Sequence, residues 1–191
     1  MAIKPSNLHI VVDKTDEVIQ AISDLSRQRL LVGIPDSEAG RTDGQASNAV
    51  IGYAQEFGIP PHLPPRPFLL PTVRDEKDLI AAQFRQMGRL ALENDRRGVL
   101  RLMNALGLKI ASEVKARITA GIPPPLAPST IAGRLRKTQA GRTALRRGGF
   151  RSSTGQAAAS VFIPLIDTGQ LRNAITYVIR KTPAQLFLQK K

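Results

Sequence analysis

The stretch that most restricts the fold is proline-rich and covers residues 59–71, IPPHLPPRPFLLP. It contains six prolines in thirteen residues. Proline lacks a backbone N–H and disfavours helical geometry in the residue before it, so neither a helix interior nor a central strand fits here. The sequence therefore predicts an extended connector, which divides the chain into a shorter part before it and a longer part after it.

The part after the connector is predicted to be helical over a long distance. Between residues 72 and 120, apolar residues recur at helical spacing in two stripes, separated by a break near residues 94–98. This pattern predicts two helices or one kinked helix. The stripes indicate a core or a partner interface rather than a cofactor site. The first stripe comprises Leu79, Ile80, Phe84, Met87, Leu90 and Ala91, and the second comprises Val99, Leu102, Met103, Leu106, Ile110, Val114 and Ile118.

The part before the connector opens with a short β-α-β pattern. LHIVV (residues 8–12) is a β-type run, TDEVIQAISDLSRQ (residues 15–28) is predicted to be a helix, and RLLVGIP (residues 29–35) is a second strand. The helix is expected to be capped by Thr15 or Asp13. Its apolar face comprises Val18, Ile22 and Leu25.

A further helix and two further strands are predicted. NAVIGYAQEFG (residues 48–58) has Val50, Ala54 and Phe57 at helical spacing and a glycine at its end, which is typical of a helix. Near the C-terminus, AITYVIR (residues 174–180) and AQLFLQ (residues 184–189) are predicted strands on either side of a Thr-Pro turn.

The charges are divided unevenly along the chain, whose formal net charge is +13. Residues 1–113 carry 14 Lys and Arg against 14 Asp and Glu, whereas residues 114–191 carry 14 against Asp167 alone. Residues 130–160 form a basic segment with too few large apolar residues for a core of its own. We predict a neutral packed body and a basic arm that contacts an acidic protein surface or phosphates, with a solubilising surface as the alternative. The candidate partner-facing or DNA-facing side chains are Arg134, Arg136, Lys137, Arg142, Arg146, Arg147 and Arg151.

The Asp-Thr-Gly sequence at Asp167, Thr168 and Gly169 is the local signature of aspartic proteases. Such an enzyme needs two carboxylates that share a proton, and a single-lobed version also needs a later apolar-apolar-Gly strand. The residues after Gly169 contain no glycine. We therefore predict a structural role, in which Asp167 or Thr168 caps a short helical turn and Gly169 relaxes the backbone.

Other catalytic arrangements are missing from the sequence. The chain has no cysteine, its two histidines (His9 and His62) are far apart, and no Gly-rich phosphate loop occurs. No apolar run approaches the roughly 20 residues that cross a bilayer. We therefore expect no catalytic residue, no cofactor, no metal and no membrane partner.

Three motifs follow one another over about 130 residues. The stretch at residues 53–73 contains E-F-G followed by P-x-R-P-F-L, and the stretch at residues 125–137 contains P-L-x-x-S-T-I-x-x-R. The third, at residues 165–179, contains L-x-D-T-G-x-L-R and has Ala174 where Ser is usual. In this order, the motifs resemble those of the tail-completion and head-tail joining proteins of tailed bacteriophages, also called virion morphogenesis proteins.

The resemblance implies a fold and a function. The fold would be a single domain of the α/β (α+β) class over residues 1–191, in which a small, twisted, mostly antiparallel sheet packs on the long helix. The protein would be located in the virion, where it forms a ring at the neck that completes or terminates the tail and joins it to the DNA-filled head. Six copies are expected and twelve are the alternative, and a terminator, a completion collar and a stopper all agree with the motifs. Its partners would be copies of itself, a head-side connector or stopper protein, and the tail tube protein.

The proline-rich connector is the candidate contact between protomers in such a ring. Proline-rich segments lose little entropy on ordering, so this connector suits a clamp on a neighbour. A strap over the chain's own helix is the alternative. The candidate interface residues are Pro64, Pro65, Arg66, Pro67, Phe68 and Leu69.

The basic arm leaves two further possibilities open. In a ring, it would dock on an acidic neighbouring ring or contact the phosphate backbone of genomic DNA in the channel, and docking is favoured because a cationic lumen would hinder DNA passage. The alternative function is a free-standing protein that binds double-stranded DNA regardless of sequence, with affinity that falls steeply as salt increases.

Overall fold

The structure is a computed structural model that describes residues 14–35, 37, 40, 46–137, 139–146 and 162–182. The predicted strands at residues 8–12 and 184–189 lie outside this part of the chain. The helices are α1 (Thr15–Ser26), α2 (Asn48–Phe57), α3 (Leu70–Asp75), α4 (Lys77–Leu92), α5 (Arg96–Ala120), α6 (Pro128–Arg136), α7 (Gln139–Arg146) and α8 (Gln170–Asn173), and the strands are β1 (Gln28–Gly33) and β2 (Thr176–Lys181).

Helix α5 is the centre of the core. It begins at a side-chain cap, in which Asp95 Oδ1 accepts from the backbone N–H of Gly98 at 2.8 Å, and it ends before Gly121, whose φ is 86°. The predicted second stripe is confirmed, because all its residues are buried or packed against the core. The break at residues 93–95 separates α4 from α5, so the region forms distinct helices rather than one kinked helix.

The predicted α+β class is confirmed in the described residues. Strands β1 and β2 pair antiparallel, with Leu30 opposite Ile179 and Val32 opposite Tyr177. These four side chains alternate with outward ones, since successive strand residues point to opposite faces. Leu30, Val32 and Ile179 pack against the core around α5. Burial of this sheet face therefore depends on the register of two strands that lie far apart in sequence.

Helix α1 forms where predicted, but its buried side differs from the prediction. Leu25 packs on the core, whereas Val18 and Ile22 are exposed. Lys14 occupies the N-cap position without a side-chain hydrogen bond, so the predicted cap at Thr15 is wrong, since Thr15 is the first helical residue. Asp13, the other predicted cap, lies outside the described residues.

Helix α2 also forms where predicted, but three of its large apolar side chains are turned to solvent. Val50, Tyr53 and Phe57 are 59%, 69% and 53% exposed. The buried positions are instead Asn48, Gly52 and Glu56. The Tyr53 and Phe57 rings contact each other at a tilt of 47°, with their centroids 4.7 Å apart. The apolar face of α2, meaning Val50, Tyr53 and Phe57, therefore contributes to the surface and not to the core.

The proline-rich connector is only partly extended. Ile59 and Leu63 form a β-bridge across a tight turn, and α3 begins at Leu70, with proline tolerated in its first turn because no N–H is needed there. Phe68 is 4% exposed and belongs to the chain's own core. Around Phe68 the connector is thus a strap over its own domain.

The start of the basic segment is ordered as α6 and α7, which the sequence analysis did not predict. Ile131 and Leu135 lie one helical turn apart on α6 and are both buried. This pair supplies the apolar contact that the segment was expected to lack. No described helix is both long and apolar enough to span a membrane.

Candidate functional site

The three sequence motifs meet at one groove of about 440 Å³. Gln55 and Arg66 come from the first motif, Thr130 and Arg134 come from the second, and Asp167 comes from the third. Ile51, Leu63, Pro124, Pro125, Leu126, Leu165 and Leu171 supply apolar walls. Segments that are far apart in the chain therefore build a single concave surface.

Glu56 fastens the connector to α2. Its carboxylate accepts three backbone N–H groups, those of Phe68 at 2.7 Å, Leu69 at 2.9 Å and Leu70 at 2.8 Å. The residue is 6% exposed. These N–H groups belong to the approach and first turn of α3, where a helix leaves its donors unpaired and favours a negative charge. This contact explains why α2 turns Glu56 inward.

Arg66 fastens the connector to the prolines that follow α5. Its Nε donates to the carbonyl of Pro124 at 2.9 Å and its Nη2 to that of Pro125 at 3.1 Å. The residue is 5% exposed. Burial, and to a lesser extent the nearby charge of Arg134, lower the pKa of Arg66 from its usual value.

Arg134 and Asp167 join α6 to the third motif. Arg134 Nη1 donates to the carbonyls of Ile163 at 3.1 Å and Ile166 at 2.7 Å, and its Nε lies 3.6 Å from Asp167 Oδ1. Lys137 Nζ donates to Asp167 Oδ2 at 2.7 Å. With its side chain only 12% exposed, Arg134 holds these segments of its own chain together. Because it also lines the groove, its predicted contact with a partner stays a prediction.

The predicted helix cap at Asp167 is wrong, because its carboxylate is turned towards the cations of α6. Gly169 occupies the N-cap position of α8, with φ 80° and no side-chain cap bond. Thr168 Oγ1 lies 3.5 Å from the backbone nitrogen of Gln170, which is at the limit for a hydrogen bond. The relaxed backbone predicted at Gly169 is confirmed.

We expect Asp167→Asn and Asp167→Ala to lower the free energy of unfolding equally, by less than about 1 kcal/mol, because partly exposed ion pairs contribute little. Urea denaturation of both variants in low and high salt would measure this, and the difference from wild type should shrink as salt screens the pair. A helix cap would give the opposite pattern, with Asn tolerated and Ala destabilising.

The other predicted interface residues divide by exposure. Pro64 and Pro65 are exposed, Pro67 and Leu69 are half-buried, and Arg66 and Phe68 are buried in their own chain. Phe68 packs in the core of its own chain, so for Phe68 the strap alternative is correct. Arg66 is held by carbonyls of its own chain and also lines the groove, so its contact with a neighbour stays a prediction. Whether Pro64 and Pro65 contact another protomer stays a prediction.

Four of the other predicted basic side chains lie in the described part of the chain, and two lie outside it. Arg136, Lys137, Arg142 and Arg146 are exposed, and all but Lys137 line a shallow depression on α6 and α7. Arg142 donates to Gln139 Oε1 at 2.7 Å. Arg147 and Arg151 lie outside the described residues.

Sequence reasoning missed Gln55, Glu56 and Thr130 as site residues. For Glu56 the sequence did contain an indication. An acidic residue among the apolar residues of a short helix suggests a polar partner for its carboxylate. The described residues contain no group of three or more His, Asp or Glu placed to hold a metal ion. The groove offers apolar walls and hydrogen-bonding groups, which are the means of binding.

Comparisons with known proteins give no match: no family model, no curated protein and no solved structure matches the chain.

Proposed function

We propose that the protein is a structural component of the neck of a tailed bacteriophage. In this proposal, copies of the chain form a ring that completes or terminates the tail and joins it to the filled head. The observation that carries it is the convergence of the three motifs on one groove. Glu56, Arg66 and Arg134, all motif residues, hold the segments there.

The apolar face of α2 supports a role in assembly. Large apolar side chains grouped on a protein's surface mark sites of association, since their exposure to water is unfavourable. Val50, Tyr53 and Phe57 are all more than half exposed. In a ring, one copy would cover this face with a different surface of its neighbour, which is the head-to-tail contact that closed rings use.

The exposed cations of α6 and α7 support contact with a second ring. Arg136, Arg142 and Arg146 lie around one depression and form no ion pair with a described residue. An acidic face on a neighbouring ring would be attracted to this surface, and charge complementarity speeds and orients docking.

The proposed location is tested in particles produced by cells that carry the gene. We expect immunogold labelling to mark the head-tail junction and deletion of the gene to leave separate heads and tails in electron micrographs. Labelling elsewhere, or normal joined particles after deletion, would rule out the neck.

We expect Tyr53→Lys to give separate heads and tails while the purified protein keeps its thermal stability. The lysine would place a charge in the contact between copies without disturbing the core, because Tyr53 is 69% exposed. Tyr53→Phe is the matched control, since it keeps the ring and its contact with Phe57, and it should assemble normally. Joined particles with Tyr53→Lys would show that this face is not a contact.

Double-stranded DNA binding is the second candidate function. It is favoured by the exposed arginines of α6 and α7, namely Arg136, Arg142 and Arg146. A mobility-shift titration with duplex DNA at several salt concentrations separates the two. For a free-standing DNA-binding protein, we expect the logarithm of the affinity to fall steeply and linearly with the logarithm of the salt concentration. The double variant Arg142→Glu and Arg146→Glu should make this slope shallower. A neck protein predicts weak binding by the isolated chain.

A further inference from the structure

Arg66 differs from an ordinary structural arginine because its charge is enclosed and has no carboxylate partner in the described ranges of the chain. The residue is 5% exposed, yet it lines the groove. Its Nε and Nη2 donate to two carbonyls, and no described residue accepts from its Nη1. A buried cation usually has a charged partner, since leaving it without one is unfavourable. The groove therefore presents donor groups suited to an anion.

The charges around Arg66 favour an anion further. Arg134 is a second cation lining the groove, and Asp167 is the one carboxylate among the described lining residues. That carboxylate lies nearer to Lys137, at 2.7 Å, than to Arg134, at 3.6 Å. Neither of these ion pairs of Asp167 involves Arg66. An incoming negative charge would offset the repulsion between the two guanidinium groups.

Gln55 needs a hydrogen-bond donor, whereas Arg66 needs an acceptor. Its side-chain oxygen is buried and has no hydrogen-bond partner among the described residues. An acceptor in this condition is unfavourable unless a donor reaches it. Gln55 lines the same groove as Arg66. A ligand that fits both residues carries an anionic acceptor and, apart from it, a hydrogen-bond donor such as a backbone N–H.

We propose that the groove binds an extended peptide segment of another protein, with a carboxylate of that segment on Arg66 and a backbone N–H on Gln55. The apolar walls, including Leu63, Pro125 and Leu165, would contact the side chains that flank the carboxylate. Charge complementarity selects an acidic segment. Guanidinium and carboxylate groups form short, charge-assisted hydrogen bonds.

DNA fits the groove less well than a peptide does. The sugar-phosphate backbone offers acceptors and no N–H donor, so it would leave the oxygen of Gln55 unpaired. Apolar walls also suit side chains better than phosphates. The exposed arginines of α6 and α7 are the better place for phosphates, since long solvated side chains can follow a DNA backbone.

This inference deepens the proposed function by giving the chemistry of a docking partner, and it rests on that function only for the partner's place in the neck. Binding by the purified chain is measured separately from particle assembly. If the purified chain bound no peptide but the immunogold label still marked the head-tail junction, this inference would be wrong and the neck function would remain. Peptide binding by the purified chain, with no label at the head-tail junction, would keep this inference and remove the neck function.

The test uses the full chain and two pools of acetylated octapeptides with amidated ends. Each peptide in the first pool carries one Glu between apolar residues, and the second pool has Gln in its place. In NMR titrations, we expect the Glu pool to shift the side-chain signals of Arg66 and Gln55 and to bind at least about tenfold more tightly than the Gln pool. Equal binding of the two pools, or no binding of either, would overturn the proposal.

Thr130→Glu is the variant that tests the site without removing a structural contact. Thr130 is exposed and lines the groove, so a carboxylate there should repel the Glu pool and weaken its binding at least about tenfold. Ser112→Glu is the charge-matched control, because Ser112 is exposed on α5 and no α5 residue lines the groove. It should bind as wild type.

A competition experiment separates a peptide site from a phosphate site. We expect neither inorganic phosphate nor a 20-base-pair duplex to displace the bound Glu pool from the wild-type chain at moderate salt. Displacement by either probe, or unchanged binding by Thr130→Glu, would contradict a carboxylate-specific peptide site.

Discussion

Replacing Glu56 with alanine is expected to lower the free energy of unfolding by about 3 kcal/mol or more, because each buried polar group left without a partner costs about 1–3 kcal/mol. The carboxylate serves the N–H groups of Phe68, Leu69 and Leu70 together. Truncation would leave the buried N–H of Phe68 and the partly buried N–H groups of Leu69 and Leu70 without this acceptor. Water entering beside α3 would offset part of the loss and loosen the strap.

Urea denaturation measures this effect, as a lower midpoint with an unchanged slope. Glu56→Gln is the matched variant. It keeps one acceptor oxygen but places an NH₂ group against backbone donors, so its stability should lie between wild type and Glu56→Ala. A loss below about 1 kcal/mol for Glu56→Ala would mean that the N–H groups find other acceptors.

Gly107→Ala is expected to destabilise the protein by about 1–3 kcal/mol, because adding a methyl group to a filled core forces neighbours from their positions. Gly107 is buried on α5 beneath the sheet. A Cβ there would overlap the Tyr177 ring and lie 2.9 Å from Leu30 Cδ1. Both neighbours belong to the strand pair, so the sheet would have to move away from the helix.

Gly88→Ala is the control for this prediction. Gly88 is also inside a helix, α4, and a Cβ there would meet nothing within 4 Å. The same substitution should therefore raise stability by up to about 1 kcal/mol, since alanine favours helix over glycine. Thermal unfolding of the two variants should shift in opposite directions. Equal shifts would mean that contact with Tyr177 does not decide the outcome.

The parts of the fold that the sequence predicted are those governed by local periodicity. The second stripe of α5 has a 3.6-residue repeat, and its residues are buried because one face of a long helix meets the sheet. The ends of α2 and α5 were also predictable, since Gly58 and Gly121 stop them with positive φ. These signals lie within a few residues of the structure that they determine.

The parts that the sequence did not predict depend on contacts between distant segments. Helix α2 turns Glu56 inward because donors at residues 68–70 need its carboxylate. Asp167 sits in a motif that resembles a cap, but Lys137, thirty residues earlier, takes its carboxylate. The structure brings residues of the three motifs together at one groove. The unpaired side-chain oxygen of Gln55 could not be predicted from the sequence, because it depends on how those segments pack together.

The pairing of β1 with β2 has a consequence for how the chain is made. Ribosomes release β1 early, and its partner from Thr176 to Lys181 follows on the order of ten seconds later at about 5–20 residues per second. During that interval Leu30 and Val32 lack β2, the strand that pairs with β1 in the described part of the chain. A nascent or prematurely terminated chain cannot close its sheet over α5. Burial of this face of the strand pair therefore waits until residues 176–181 have been made.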